Sequence, residues 1–331
     1  MLGYIVKRIV IMIPTLFLIS VISFIVIELP PGDMASAYLA SIEDQREDLR
    51  EETLQEVDAL RARLGLDQPA YKRYFLWAGR FFFKGDFGYS YVWKKPVREL
   101  LEGRIQLTVL ISLCTFIIGT LITWPIGLGM SVRQYSWFDN IFSFIAFIMM
   151  AVPPFLIALV LMYFSYQWWD IMPGGLYSDK YLDAEWSMGK LLDLLAHLWM
   201  PLVILVLGSI GGGIRVIRAN MLDEMRMPYV TTARAKGLSE LRLILKYPLR
   251  MAANPFVCSI GWMLPGLVGG EIIVSLVLGI PTTGPILLEG IMNQDMQVAG
   301  AIIMILAALT VIGTLVSDIL LGMLDPRIRY T

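Results

Sequence analysis

Residues that could break or make bonds are scarce in this chain of 331 residues. The only histidine is His197, and no H-E-x-x-H surrounds it, so a metal-assisted hydrolase lacks both its ligands and its base. Ser187-Met188-Gly189-Lys190 fits the S-x-x-K pattern of acylating serines, but no S-D-N or K-T-G accompanies it, and we take the match as chance. No G-x-x-x-x-G-K-[ST] occurs, so nothing here cradles nucleotide phosphates in the P-loop manner. Gly211-Gly212-Gly213 lies in an apolar run, where it allows close helix approach or bending. The two cysteines, Cys114 and Cys258, sit in apolar surroundings as small hydrophobes and define neither a disulfide framework nor a metal site. The expectation is therefore no catalytic residue, no metal and no cofactor in this chain. What remains is charge in unusual places: Glu271 and Asp318 inside apolar runs, and a compact basic insert, YVTTARAKGLSELRLILKYPLR, at 229–250.

The elements that carry these residues follow from composition. Hydrophobic residues make up 57% of the chain and charged residues 17%, against roughly 45–50% and about 25% in a soluble domain. A hydrocarbon slab of about 30 Å asks a helix for about 20 apolar residues. Six runs meet that: 9–29, 105–132, 141–166, 198–217, 256–280 and 298–324. A closed β-barrel needs short alternating segments instead. The fold class expected is an all-α polytopic membrane protein with six transmembrane helices. The first run follows Lys7 and Arg8 and is longer than a signal peptide's apolar core, so it reads as a retained anchor. Pro153-Pro154 should kink the third run.

Orientation comes from the short connections. The loop 219–255 holds Arg226, Arg234, Lys236, Arg242, Lys246 and Arg250, with Arg215 and Arg218 just before it, while 281–297 has no Lys or Arg and 167–196 is mainly acidic. The positive-inside bias places that loop and both termini in the cytoplasm. The segment 30–104 then lies outside by alternation. Within it, 43–63 reads as a charge-rich helix with a thin apolar stripe, and the aromatic run Tyr71, Tyr74, Phe75, Trp77, Phe81, Phe82 and Phe83 as a short helix at the membrane interface. Turn chemistry is expected at Lys84-Gly85-Asp86 and at Lys95-Pro96.

In the insert, Ser239 can cap a helix whose Leu241, Ile244 and Leu245 share one face, while Arg242, Lys246 and Arg250 recur on another. Gly237 separates this helix from the preceding piece as a helix-ending residue does. Periodicity alone also permits a basic amphipathic helix resting on anionic lipid, at about 1 kcal/mol per basic residue.

The wording of the insert narrows this. Tyr-Val-Thr-Thr-Ala-Arg-Ala-Lys-Gly-Leu at 229–238 resembles the cytoplasmic EAA-type loop of ABC importer membrane subunits, most of all those of the dipeptide and oligopeptide permease family. The amino-terminal YIVKRIVIMIPTLFLISVISFIVIELPPGD, then LGLDQPAYKRY, GDFGYS and KPVRELL, and the closing LDPRIRY with Asp325 and Arg327, look like the family's first helix, outer segment and carboxyl-terminal signature. Thr231 and Thr232 replace the generic loop's Glu and Ala, Tyr247-Pro248 replaces a His-containing stretch, and Ile280-Pro281-Thr282-Thr283-Gly284 replaces a Pro-Gly-x-Gly turn, which marks a divergent branch.

The resemblance implies a bacterial inner-membrane permease subunit with both termini cytoplasmic. Its loop would be a coupling helix seated on a separate ATPase, with Tyr229, Val230, Ala233, Arg234, Ala235, Lys236, Gly237, Leu238 and Leu241 at that contact. The partners implied are a second homologous permease, two P-loop ATPases holding ATP and magnesium, an extracytoplasmic binding protein and membrane lipid; no nucleic acid is expected. Peptides are the first substrate class, oligosaccharides and nickel chelates the alternatives. From another class, a secondary transporter would place ionisable groups near midplane, and Glu271 and Asp318 are the candidates, although they form no repeat. Glu271 either lines the translocation path or pairs at a subunit interface or outer loop. Asp318 is expected to hold the cytoplasmic loop or the tail.

Overall fold

The computed structural model describes residues 2–28, 68–90, 92–169, 174–181, 184–185, 187–293 and 295–324. The helical stripe expected at 43–63, the Pro-Pro-Gly-Asp at 30–33 and the tail residues Asp325 and Arg327 lie outside the described residues. In chain order the elements are α1 (Leu2–Glu28), α2 (Ala70–Gly79) continued by a π-helical turn (Arg80–Lys84), β1 (Tyr89–Ser90), β2 (Lys95–Pro96), α3 (Val97–Leu101), α4 (Arg104–Val132), α5 (Trp137–Ala151), α6 (Pro154–Trp169), α7 (Met188–Met225), α8 (Pro228–Ala235), α9 (Glu240–Lys246), α10 (Pro248–Ala252), α11 (Asn254–Leu278), α12 (Thr283–Met292) and α13 (Met296–Leu324).

Four stretches are long and apolar enough to cross a bilayer: Gly3–Val26, Val97–Val132, Met188–Met225 and Met296–Leu324. Two bent pairs, α5 with α6 and the end of α11 with α12, raise the number to six if each is a single span. The chain is thus a helical polytopic membrane protein. Pro153-Pro154 bend the third run as expected, and so sharply that 141–166 is two helices, α5 and α6, which meet at 95°. Val152, which precedes a proline, is extended at φ −90°, ψ 118°, since the proline ring disfavours the α region there. Pro154 then opens α6, where an amide is not required. The run at 198–217 is the middle of a helix of 38 residues. Its start is fixed by Ser187, whose hydroxyl accepts the Lys190 amide at 3.2 Å. Helix α11 ends at Gly279, φ +64°, with Ile280 N–H donating to Ser275 O at 2.8 Å and Gly279 N–H to Leu276 O at 3.3 Å. Lys95-Pro96 forms β2, antiparallel to β1 with Tyr89 opposite Pro96, so the turn precedes the site expected for it.

The chain divides into two compact units. The first comprises Met1–Ile9, Leu107–Gly284 and Leu309–Thr331, and α7 is its axis. Ile204, Leu205, Leu198 and Met200 pack with Ile111, Ala158, Val274 and Leu278 in one cluster, and Ile210 and Ile214 with Met130 in another. Glycine lets the backbones close here: a Cβ on Gly211 would lie 2.7 Å from the Ala146 carbonyl oxygen, and one on Gly213 would lie 2.9 Å from Thr123 Cγ2. The second unit comprises Val10–Gln106 and Pro285–Ala308. Phe24, Tyr74, Trp77, Phe81 and Phe87 form a run of ring contacts, and Ser20 hydrogen bonds the Tyr74 hydroxyl at 2.7 Å. Val97, Leu101 and Phe81 bury against Ile286, Val298 and Ile302. Ser90 Oγ donates to Asp295 Oδ2 at 2.5 Å, and Asp295 Oδ1 accepts the Val298 amide at 3.1 Å. Gly88, φ +91°, is required beside that joint, because a Cβ would meet Gln297 Oε1 at 2.6 Å.

Candidate functional site

The insert is built from α8, α9 and α10, three short helices that would not persist alone and so depend on packing. Val230, Ala233, Leu243, Ile244 and Ala252 bury against Ile217 and Met221 of α7. Removing a Val, Leu or Ile side chain from water contributes about 1.5–3 kcal/mol, so this cluster makes the insert a packed extension of α7 rather than a free loop. Helix α8 begins at Pro228 and ends in a Schellman turn. Gly237, φ +79°, donates its amide to Arg234 O at 3.0 Å, and Leu238 N–H reaches Ala233 O at 3.4 Å.

That packing divides the residues singled out from sequence. Val230 and Ala233 face inward and hold the insert. Tyr229 is half-buried, its hydroxyl bonded to the Glu224 carboxylate; burial and then that carboxylate push its proton affinity up. Arg234, Ala235, Lys236 and Gly237 are exposed, Leu238 is half-buried, and Leu241 is 69% exposed. Leu241 and Leu245 point out whereas Ile244 turns in beside Leu243, so the face expected to hold all three aliphatic residues is split. Arg234 Nε donates to Glu240 Oε1 at 2.6 Å and Nη2 to Oε2 at 3.1 Å, tying α8 to α9 across the turn. The bond from Arg234 holds the Glu240 carboxyl below the usual carboxylate range. Space around Gly237 is open, with nothing within 4 Å of where a Cβ would be. The outer edge is thus a basic, partly aliphatic ridge on a rigid base, a shape that can seat in a groove of another protein.

Glu271 and Asp318 have different surroundings. Glu271 is 2% exposed; its Oε1 accepts the Ser275 hydroxyl at 3.3 Å, and its Oε2 has no partner. The Thr282 hydroxyl flanks the same carboxyl, short of hydrogen-bond geometry. Thr282 belongs to the bend between α11 and α12, which is further pinned by Thr108 Oγ1 accepting the Thr283 amide at 3.0 Å. Asp318 pairs with Arg8 of α1 at 3.3 Å. The tie from insert to α13 is made instead by Arg250, whose Nη2 donates to Met323 O at 3.3 Å. Among the described residues, no group of three or more His, Cys, Asp or Glu could hold a metal ion.

Sequence reasoning gave no role to one pair that the structure brings together. Asp139 in the first turn of α5 is 1% exposed and receives a two-pronged bond from Arg218 of α7. Their separation of 79 positions along the chain explains why spacing carried no signal.

A long apolar helix scaffold carrying a packed basic insert fits a membrane transport subunit. Residues 123–330 match the family model described as binding-protein-dependent transport system inner membrane component, and residues 1–114 match the N-terminal model of the same membrane component. The chain belongs to this family, the membrane permease subunits of ABC transporters, and is a multi-pass inner-membrane protein. It is 33% identical to the oligopeptide transport system permease protein AppB of Bacillus subtilis (strain 168) over 332 residues, covering all of both chains. To the dipeptide transport system permease protein DppB of Escherichia coli (strain K12) it is 29% identical over 350 residues, covering 100% of this chain and 99% of the relative. To the oligopeptide transport system permease protein OppB of Haemophilus influenzae the identity is 28%, again over the full length of both.

Proposed function

We propose that this chain is one half of the membrane path of an ATP-driven importer that takes up peptides handed over by an extracytoplasmic binding protein. The observation that carries the reading is end-to-end similarity to named dipeptide and oligopeptide permeases. In this reading the chain makes six spans, with α5–α6 as one and α11–α12 as another. Both termini and the insert lie in the cytoplasm, and segment 30–104 faces outward. A second homologous permease completes the path. Two P-loop ATPases, which bind the ATP and magnesium, dock one on the insert of each permease.

The insert geometry supports the mechanical part. Val230, Ala233, Leu243 and Ile244 fasten it to α7, leaving Arg234 to Leu238 and Leu241 free to meet an ATPase. A rigid insert transmits a push, whereas a mobile one dissipates it. Glu271 joins the path in this scheme when the bend at 279–282 moves, since it is enclosed by Ser275 and Thr282 in the present conformation. The test is extraction of the chain from its native membrane in mild detergent, with mass spectrometry of its companions and ATPase assay. Recovery of a second permease and P-loop ATPases supports the importer; a homo-oligomer without nucleotide-hydrolysing companions favours a secondary transporter. A binding protein recovered with the complex, screened against peptides, oligosaccharides and nickel chelates, decides the substrate.

A further inference from the structure

We propose that Asp139 and Arg218 are positioning residues that carry movement of the insert sideways from α7 into the bent α5–α6 span; this rests on the importer reading above. Arg218 Nε donates to Asp139 Oδ1 at 2.6 Å and Nη2 to Oδ2 at 2.7 Å, a fork that fixes orientation as well as distance. The carboxylate also accepts the Tyr135 amide at 2.9 Å, and the Asp139 amide is capped by Ser136 Oγ at 3.3 Å. Tyr135 is held at φ +62°, a left-handed conformation that a residue with a side chain adopts only under such constraint. The first turn of α5 is therefore built around Asp139.

Location gives the pair its role. Arg218 lies between Ile217 and Met221, the fully buried α7 residues of the cluster on which the insert packs. One face of the last turns of α7 holds the insert, and the neighbouring position grips α5. Farther along the same interface, the absence of a Cβ at Gly211 lets α7 approach the Ala146 carbonyl, and Arg215 lies over the Phe147 ring at 4.5 Å. Helix α5 is clasped to α7 in its first turn and again past its middle. It breaks at Pro153, where the chain turns by 95° into α6, so α5 is a separate lever from α6. The insert is covalently continuous with α7 and α11 only, and this clasp adds a third span to what it can move.

The experiment uses the purified importer reconstituted in vesicles with its binding protein, with tritiated trialanine as the probe. Asp139→Asn removes the charge and keeps the shape; Arg218→Lys keeps the charge and loses the fork; Arg218→Gln and the double variant Asp139→Asn/Arg218→Gln complete a cycle. We expect assembly and ATP hydrolysis within about 2-fold of the unaltered complex, uptake per ATP hydrolysed down at least 10-fold in Asp139→Asn and in Arg218→Gln, a smaller loss in Arg218→Lys, and a double variant no worse than either of the first two. Unchanged uptake per ATP in assembled Asp139→Asn would overturn the proposal. So would effects that multiply in the double variant, or loss of assembly in both Asp139→Asn and Arg218→Lys, which would make the pair a static tie. Absence of ATP-dependent uptake by the unaltered complex would instead defeat the importer reading on which the proposal stands.

Discussion

Substitution of Gly237 separates the shape of the insert from its docking. At φ +79° a side chain costs about 1–2 kcal/mol, and a Cβ would meet nothing within 4 Å, so Gly237→Ala and Gly237→Trp carry the same local strain. That strain corresponds to about 5- to 30-fold faster opening of the turn, which stays mostly formed on its packed base. Proline cannot adopt this φ and loses the amide that donates to Arg234 O, a penalty of about 3 kcal/mol or more. The two bonds of the Schellman turn together supply only about 1–3 kcal/mol, so Gly237→Pro opens it. Hydrogen exchange on peptides covering 229–247 should show protection reduced about 5- to 30-fold in the Ala and Trp variants and none at Leu238 in the Pro variant. Recovery of the ATPases with the permease should survive in Gly237→Ala and fail in Gly237→Trp, whose indole fills the open space. Full ATPase recovery and uptake by Gly237→Trp would refute the docking argument, and unchanged exchange in Gly237→Pro would refute the reading of the turn.

Other perturbations have equally definite outcomes. Because Arg234 lowers the Glu240 carboxyl below its ordinary 4.5, the tie between α8 and α9 is present above that value and lost as pH falls through the lowered one; protection at 238–242, taken relative to the intrinsic exchange rate at each pH, should be flat from pH 8 to 5 and fall in more acid buffer. Loss of protection already at pH 6 would contradict the assignment. Ser90→Ala leaves a buried Asp295 oxygen unsatisfied and should cost about 1.5–3 kcal/mol, read as a lower Tm of the solubilised protein, and an unchanged Tm would show the joint to be idle. Glu271→Gln keeps an acceptor for Ser275 and breaks no bond at Oε2, so thermal stability should hold while uptake KM or rate shifts; unchanged uptake would take Glu271 off the path.

Much of this architecture was legible because a bilayer imposes a simple rule on sequence. Twenty apolar residues announce a span, and Gly237 announced the turn where it stands, since only glycine adopts that φ without strain. Hydropathy does not register direction, however, so Pro153-Pro154 marked a kink in 141–166 without its size of 95°. Nor does helical periodicity tell a docking face from a packing face when both are aliphatic: Ile244 and Leu245 are neighbours, one buried against α7 and one exposed. The Asp139–Arg218 fork was out of reach for a different reason. Its two halves are ordinary charged residues at helix ends, and only the antiparallel packing of α5 on α7 makes them meet.

The most direct measurement is uptake of a labelled peptide by vesicles holding this permease, its copurified companions and an excess of binding protein. The account predicts accumulation that requires ATP, stops in Gly237→Trp and is indifferent to collapse of proton and sodium gradients. Accumulation driven by an ion gradient without ATP, or its persistence in Gly237→Trp, would contradict it.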